Sequence, residues 1–107
     1  MMNIAARPLV SSTRRAASDA YVQKAAVLLT GMSNAVRLAV LLRITQREWS
    51  VNELAEDLKI SQSALSQHLA KLRQTGIVKG RRERQTVFYS CSEPLAVEIL
   101  ALLGVAP

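Results

Sequence analysis

The sequence predicts one mainly helical domain with a small β-hairpin, in the order α-α-(β)-α-α-β-β-α. Apolar residues recur at helical spacing over most of residues 18–75. After Gly76 the β-forming runs Ile-Val and Thr-Val-Phe-Tyr flank a charged KGRRERQ segment, which is typical of a hairpin. A length of 107 residues fits a single domain. We therefore expect a domain over residues 18–107, preceded by a flexible arm over residues 1–17.

The first two helices are expected to be separated near Gly31, because glycine weakens helices. Ser18 is a candidate N-cap for the first helix, and Ser33 and Asn34 are candidates for the second. Short polar side chains of this kind accept hydrogen bonds from the free backbone N–H groups at a helix start. The second helix carries a wide apolar face that ends at Ile44.

Two shorter helices follow an extended segment at residues 48–51. We expect the third helix over residues 51–58 with Asn52 as its cap, and a tight turn at residues 59–61. Ser61 is the expected cap of the fourth helix, residues 61–75, which Gly76 ends. Two short helices joined by a tight turn and followed by a basic hairpin are the arrangement of a winged helix-turn-helix.

The last helix, from Glu93 to about Leu103, has little polar surface. A helix that is apolar on all sides is rarely exposed to water. A short chain also buries only a thin core of its own. We therefore expect this helix to pack against another chain.

The positive charge is concentrated in one third of the chain. The net charge is +6, and residues 61–90 contain six basic residues and one acidic residue. This local excess indicates a polyanionic partner, nucleic acid first. A solvated basic face is the ordinary alternative.

The fourth helix, ISQSALSQHLAKLRQTG, carries Ser and Gln where a soluble helix usually carries Glu and Lys. On a helical wheel three Leu residues form its apolar stripe, and the polar residues of its first turns lie outside that stripe. Gln pairs bidentately with adenine, and Ser pairs with either type of base. No acidic residue occurs from residue 60 to residue 82, where phosphate would repel it. We predict that this helix reads base edges in the major groove through Gln62, Ser63, Ser66 and Gln67.

A second set of residues is expected to bind the DNA backbone. Three Arg within four residues surround the tip of the hairpin, residues 79–86, where a wing reaches the backbone or the minor groove. His68 is equally compatible with a packing role at the edge of the core. Backbone contacts are predicted for His68, Lys71, Arg73, Arg81, Arg82, Arg84 and Gln85.

The sequence argues against several other classes of protein. The one His and the one Cys, His68 and Cys91, are far apart, and a metal site needs three or four such ligands, so we expect no metal and no cofactor. No nucleophile and base are paired, so we expect no catalytic site. No apolar run approaches the 18 or so residues of a membrane helix, and no secretory signal is evident. With one Cys, these features predict a cytoplasmic protein that does not bind membranes.

The segment LSQHLAKLRQTGIVKGRRERQTVFYS, residues 65–90, resembles the ArsR/SmtB family of bacterial winged-helix repressors. Its Ser-x-His-Leu element, its Gly-Ile-Val and its Arg-rich wing are marks of that family. NAVRLAVL at residues 34–41 is similar to the family motif N-P-x-R-L-x-I-L, with Ala35 in place of Pro. The resemblance covers residues 26–103. The segment QSALSQHL, residues 62–69, is especially similar to the sequences of one branch of the family. That branch has no metal site and includes the NolR and HlyU-type regulators.

The resemblance implies a homodimeric, sequence-specific transcriptional regulator that binds a roughly palindromic double-stranded DNA operator. Most members of the family are repressors, so the resemblance favours repression. Two recognition helices would lie about 34 Å apart, one turn of DNA. Metal-sensing members carry Cys-x-Cys in the third helix or Asp and His in the last, and persulfide-sensing members need two Cys. This chain has none of these sets, so the implied regulator is metal-independent. The dimer would be built from the first and last helices, through Tyr21, Val22, Leu28, Leu29, Leu95, Ile99, Leu102 and Leu103.

Two alternatives stay open from the sequence. A winged helix also serves as a protein-interaction module without specific DNA binding, because a fold does not fix a function. The other alternative is a repressor that responds to redox chemistry at Cys91 or to a small-molecule inducer. Release from DNA by an inducer, by a partner protein or by a change in concentration is equally compatible with the sequence.

Overall fold

The computed structural model describes residues 12–105, with their side chains from residue 18 onward. Its elements follow one another in the order α-α-β-α-α-β-β-α, which confirms the fold class expected from the sequence. The elements are α1 (Ser12–Met32), α2 (Ala35–Ile44), β1 (Trp49–Ser50), α3 (Val51–Leu58), α4 (Gln62–Arg73), β2 (Lys79–Glu83), β3 (Thr86–Ser90) and α5 (Pro94–Leu102).

The first helix begins earlier than expected. α1 runs from Ser12 through Ser18, so Ser18 is not its N-cap, and residues 12–17 belong to the helix rather than to an arm. Residues 1–11 lie outside the described residues, and the flexible arm stays a prediction there. α1 continues through Gly31 and ends at Met32.

Gly31 lies where α1 meets the end of α4. A Cβ atom on Gly31 would overlap the Cγ2 methyl of Thr75. The Thr75 side chain is held in place, because its hydroxyl donates a 2.5 Å hydrogen bond to the Leu72 carbonyl and accepts a 3.2 Å bond from the Ile77 N–H. The Gly31 carbonyl also accepts a 2.5 Å hydrogen bond from Arg37 Nε. Close approach of the two helices therefore requires glycine here.

We expect Gly31→Ala to lower the free energy of unfolding by about 1–3 kcal/mol, the usual cost of overpacking a filled site, although Ala is the better helix former. Urea denaturation followed by circular dichroism measures this loss. The double variant Gly31→Ala/Thr75→Ser removes the colliding methyl and keeps the hydroxyl, so it should recover most of the stability. Equal losses in the single and double variants would contradict the packing account.

The starts of α2 and α3 are both capped by side chains. Asn34 caps α2, as expected, by accepting hydrogen bonds from two backbone N–H groups. The expected cap of α3 is wrong, because Ser50 and not Asn52 occupies that position. Ser50 Oγ accepts from the Glu53 N–H at 3.1 Å, while Glu53 Oε1 accepts from the Ser50 N–H at 2.8 Å, which forms a capping box.

The core is formed by the inner faces of α2, α3 and α4 together with the end of α1, the sheet and α5. The predicted apolar stripe of α4 is confirmed, since Leu65, Leu69 and Leu72 are at most 2% exposed. The other fully buried large side chains are Val40, Leu41, Ile44, Leu54 and Leu100.

The three strands form one antiparallel sheet in the order β1-β3-β2. In the β2–β3 hairpin, Arg81 pairs with Phe88, Arg82 pairs with Val87, and a two-residue turn closes the ladder. Ile77 and Val78 were expected within the first hairpin strand, but they precede β2. Val78 enters the core instead, with 7% of its surface exposed.

Within residues 12–105 no single helix is long and apolar enough to cross a bilayer. Only the segments Ser18–Met32 and Ala35–Ile44, taken together, reach the required length and composition, and they are bent by 100° relative to each other.

Candidate nucleic-acid interface

The connection between α3 and α4 is three residues long and tightly folded. Lys59 adopts a left-handed conformation with φ of 59°, and the Ile60 N–H donates a 3.1 Å hydrogen bond to the Ala55 carbonyl. Ser61 caps α4 as predicted, because its Oγ accepts from the Ala64 N–H at 3.1 Å. α4 spans Gln62–Arg73, slightly less than the expected range of 61–75.

All four residues predicted to read bases are exposed on the first two turns of α4. Among the residues that the structure describes, the side chains of Ser66 and Gln67 make no hydrogen bond. Gln62 Nε2 donates to Asn52 Oδ1, a contact between α4 and α3 that was not predicted. Ser63 Oγ lies 3.3 Å from the Oγ of the capping Ser61. Gln62 and Ser63 therefore each have an internal polar contact in the free protein.

The basic residues of α4 are exposed, whereas its histidine is not. Lys71 and Arg73 are open to solvent on the last turns. His68 is half-buried, and its Nδ1 lies 3.1 Å from an Nη1 of Arg37. A guanidinium only donates, so the contact makes Nδ1 an acceptor and places the proton on Nε2. This geometry fits the packing role that the sequence left open for His68, and a phosphate contact stays a prediction.

One face of the wing, the hairpin β2–β3, is turned toward α4. Arg82 lines a groove together with Arg73 at the end of α4 and with the β3 side chain of Val87. Near the tip, Gln85 lines a second groove with Gln62 at the start of α4. The structure thus brings together polar and basic residues of α4 and the wing that are separate in the sequence.

Arg81 is placed differently from the other predicted backbone contacts. Its Nε and Nη2 each donate a 2.9 Å hydrogen bond to the carboxylate of Glu48, and Glu83 lies 3.5 Å from its Nη1. The hydrogen bond from Arg81 lowers the pKa of Glu48, and the same bond raises the pKa of Arg81. The guanidinium also lies 4.9 Å from the centre of the Phe88 ring. Arg81 is therefore already paired in the free protein.

Arg84 occupies the first position of the two-residue hairpin turn with a left-handed φ of 60°. Glycine is favoured in that position of such a turn, because a side chain there is strained. We expect Arg84→Gly to raise the free energy of unfolding by about 1 kcal/mol and to lower the slope of log affinity against log salt by about 1.8 per dimer. Urea denaturation and fluorescence anisotropy with labelled DNA measure the two effects. Arg84→Lys is the control and should change neither, and an Arg84→Gly variant with an unchanged salt slope would remove Arg84 from the interface.

The remaining candidates for cofactor or redox chemistry are poorly placed. The Cys91 side chain is 3% exposed, and burial raises the pKa of its thiol. The thiolate is the reactive form of cysteine, so both features disfavour a redox role. Among the described residues, no group of three His, Cys, Asp or Glu is positioned to hold a metal ion.

Large apolar side chains are exposed on α1 and α5, where a second chain was expected. Leu28 is an exception among the predicted contacts, because it is 7% exposed and packs in the core beside Met32. Ile99 is half-buried against the same core. Val27 and Val97, which were not among the predicted contacts, are exposed on the same two helices. Six predicted residues are exposed in the single chain: Tyr21, Val22, Leu29, Leu95, Leu102 and Leu103.

The sequence is similar to several bacterial regulators. The chain is 50% identical over 80 residues to the transcriptional activator HlyU of Vibrio cholerae, covering 75% of this chain and 74% of that protein. It is 44% identical over 80 residues to the nodulation protein NolR of Rhizobium meliloti, covering 75% and 66%. It is 35% identical over 102 residues to the biofilm growth-associated repressor of Agrobacterium fabrum, covering 95% and 82%.

Solved structures are similar to the fold as well. NolR from Sinorhizobium fredii superposes with a TM-score of 0.76 at 39% identity, covering 84% of this chain and 93% of that one. Reduced HlyU from Vibrio cholerae superposes with a TM-score of 0.74 at 46% identity, covering 80% of this chain and 90% of that one. Mb0332 from Mycobacterium bovis is a homodimeric winged helix-turn-helix DNA-binding domain. It superposes with a TM-score of 0.73 at 26% identity, covering 89% of this chain and 85% of that one.

These similarities confirm the winged helix-turn-helix fold and the class of function predicted from the sequence. Residues 34–79, which run from the cap of α2 to the entry of the wing, match the family model described as bacterial regulatory protein, arsR family. Proteins of this family are transcriptional regulators and not enzymes, which is the class predicted from the sequence. By sequence and by structure, the chain belongs to the ArsR family of bacterial regulatory proteins.

Proposed function

We propose that the chain acts as a homodimer that binds a roughly palindromic DNA operator and represses transcription by occupying it. In each protomer, α4 enters the major groove and the wing lies on the neighbouring backbone or minor groove. The observation that carries the proposal is the exposed start of α4, which offers Ser and Gln to DNA and no carboxylate. Arg73 and Arg82 line the groove at its other end.

Base recognition is assigned to the first two turns of α4. Ser66 and Gln67 have no internal hydrogen bond to give up among the described residues, so they lose little on meeting a base edge. Gln62 retains one amide hydrogen and its carbonyl oxygen beyond its bond to Asn52, which leaves a donor and an acceptor for an adenine. These contacts give the protein a preferred DNA sequence.

Backbone binding is assigned to the basic residues around α4 and the wing. Lys71 and Arg73 follow the reading residues along the helix, while Arg82 and Arg84 project from the hairpin. Each phosphate that these side chains neutralise releases counterions, so affinity should fall steeply with salt on any DNA. The same positive field accelerates the encounter with DNA.

Dimerisation is supported by the unpartnered apolar surface of α1 and α5. Tyr21 is 67% exposed and Leu102 is 86% exposed in the single chain. Side chains of this size are normally withdrawn from water, and a two-fold interface covers both helices at once. A symmetric dimer presents two α4 helices, and two half-sites about 34 Å apart suit that symmetry. The homodimeric state of the structurally similar Mb0332 domain supports the same assembly.

Metal independence and a cytoplasmic location are part of the proposal. The sequence lacks the Cys-x-Cys element of α3 and the Asp and His ligands of α5 on which metal-sensing relatives depend. Repression is supported by the biofilm growth-associated repressor, whose match covers most of this chain.

The test is binding of the purified protein to its own upstream DNA and to random duplex, with and without a chelator, over a range of salt. Tight binding to the upstream DNA alone, unchanged by the chelator, is the expected result. Loss of that binding on chelation would overturn metal independence. Equal, weak binding to both DNAs would favour the protein-interaction alternative.

A further inference from the structure

An ion pair between Glu48 and Arg81 joins the wing to the residues that precede β1. Arg81 lies on β2 and Glu48 immediately precedes β1, which are the two outer strands of the β1-β3-β2 sheet. Two hydrogen bonds of 2.9 Å join the fork of the guanidinium to both carboxylate oxygens. The pair therefore reaches across the central strand β3 and connects the hairpin to the loop that precedes β1.

The register of the hairpin separates Arg81 from Arg82. Neighbouring residues of a strand point to opposite faces of the sheet. Arg82 pairs with Val87 on the face that shares a groove with Arg73 of α4. Arg81 pairs with Phe88 on the other face, where its guanidinium stacks over the ring.

The charge of the Arg81 face also differs from that of the face turned to α4. Two carboxylates, those of Glu48 and Glu83, lie within 3.5 Å of the Arg81 guanidinium. A cation that is already paired with carboxylates releases no counterions when it meets a phosphate. The carboxylates also repel the phosphate. The face that carries Arg81 is thus poorly suited to DNA.

We infer that Glu48 and Arg81 are positioning residues, which set the orientation of the wing relative to α4, and that Arg82 and Arg84 are the wing residues that touch the phosphates. This inference rests on the proposed DNA-binding function and removes Arg81 from the predicted backbone contacts. A bidentate, stacked arginine holds a geometry that a lysine does not reproduce, although a lysine serves equally well as a positive charge for phosphate.

The test compares Glu48→Gln, Arg81→Lys and Arg81→Ala with Arg82→Ala in salt-dependent binding to operator and random DNA. The first three should each weaken operator binding by about 3- to 10-fold with an unchanged salt slope. The double variant Glu48→Gln/Arg81→Lys should be no weaker than either single one. Arg82→Ala, the matched control from the next position of the strand, should lower the slope by about 1.8 per dimer on both DNAs.

Three outcomes would overturn the inference. A slope lowered by Arg81→Ala as much as by Arg82→Ala would make Arg81 a phosphate contact. Tighter binding with a steeper slope in Glu48→Gln would show that Glu48 masks Arg81 rather than positions the wing. If Glu48→Gln and Arg81→Lys bound the operator as tightly as the unmodified protein, the pair would have no role in binding.

A second measurement does not depend on DNA. Amide hydrogen exchange should become faster in β2 of Glu48→Gln and Arg81→Lys, and stay unchanged in α2 and α4. Unchanged exchange in β2 would overturn the inference even if DNA binding is confirmed. Faster exchange in β2 of a protein that binds no operator would instead sustain the positioning role and reject the proposed function.

Discussion

The double variant Leu29→Glu/Leu103→Glu should be monomeric and should bind the operator about 100-fold more weakly, or worse. Both residues are more than half exposed in the single chain, at 54% and 57%, so charges there leave the protomer core intact. The charges would be buried without partners in the proposed dimer, which makes association unfavourable. Loss of the second half-site removes the gain of about 10²–10⁴ that linkage of two binding modules provides.

Sedimentation equilibrium measures the oligomeric state, and fluorescence anisotropy measures the affinity. The control variant Leu29→Met/Leu103→Met keeps the surface apolar and should remain dimeric with near-normal affinity. Helical circular dichroism should match in all three proteins. A glutamate variant that still sediments as a dimer would show that α1 and α5 do not form the interface.

Gln67→Ala should weaken operator binding by about 1–3 kcal/mol in each half-site, and by about 2–6 kcal/mol for a symmetric dimer. Affinity for random duplex should hardly change, because only the reading of a base edge is lost. Gln67 is exposed and makes no hydrogen bond among the described residues, so stability should be unaffected. Competition binding with the two DNAs separates the specific loss from the non-specific one.

Gln74→Ala is the matched control for this substitution. Gln74 is also an exposed glutamine, but it lies at the C-cap of α4, away from the residues that are assigned to the bases. It should bind both DNAs almost as well as the unmodified protein. Equal losses on operator and random DNA in Gln67→Ala would contradict the division of α4 into reading and backbone-binding residues.

The order of elements and the apolar stripe of α4 could be predicted because both follow from local periodicity. The bounds of α3, residues 51–58, were predicted correctly, but its cap was not. Ser50 and Glu53 have the spacing of a capping box, which was missed because Ser50 was interpreted as part of an extended segment. Both descriptions hold, as Ser50 ends β1 and caps α3.

The tertiary partners of individual side chains could not be predicted. Glu48 and Arg81 are 33 residues apart and meet only because β3 lies between β1 and β2. Leu28 was assigned to the dimer interface, yet it is buried in the core, whereas the adjacent Leu29 is exposed. A core and an interface both favour leucine, so composition alone does not separate the two environments.

Every residue of β2 is exposed to solvent. Two of its positions are constrained: a Cβ on Gly80 would lie 3.3 Å from a ring carbon of Tyr89, and Arg81 is held by its pair with Glu48. Substitutions elsewhere in the strand therefore disturb few packed atoms, and surface changes of this kind usually shift stability by no more than about 0.5 kcal/mol. Under the proposed function, the other positions of β2 are therefore those at which mutation can retune the strength of DNA binding during evolution while the fold and α4 stay as they are.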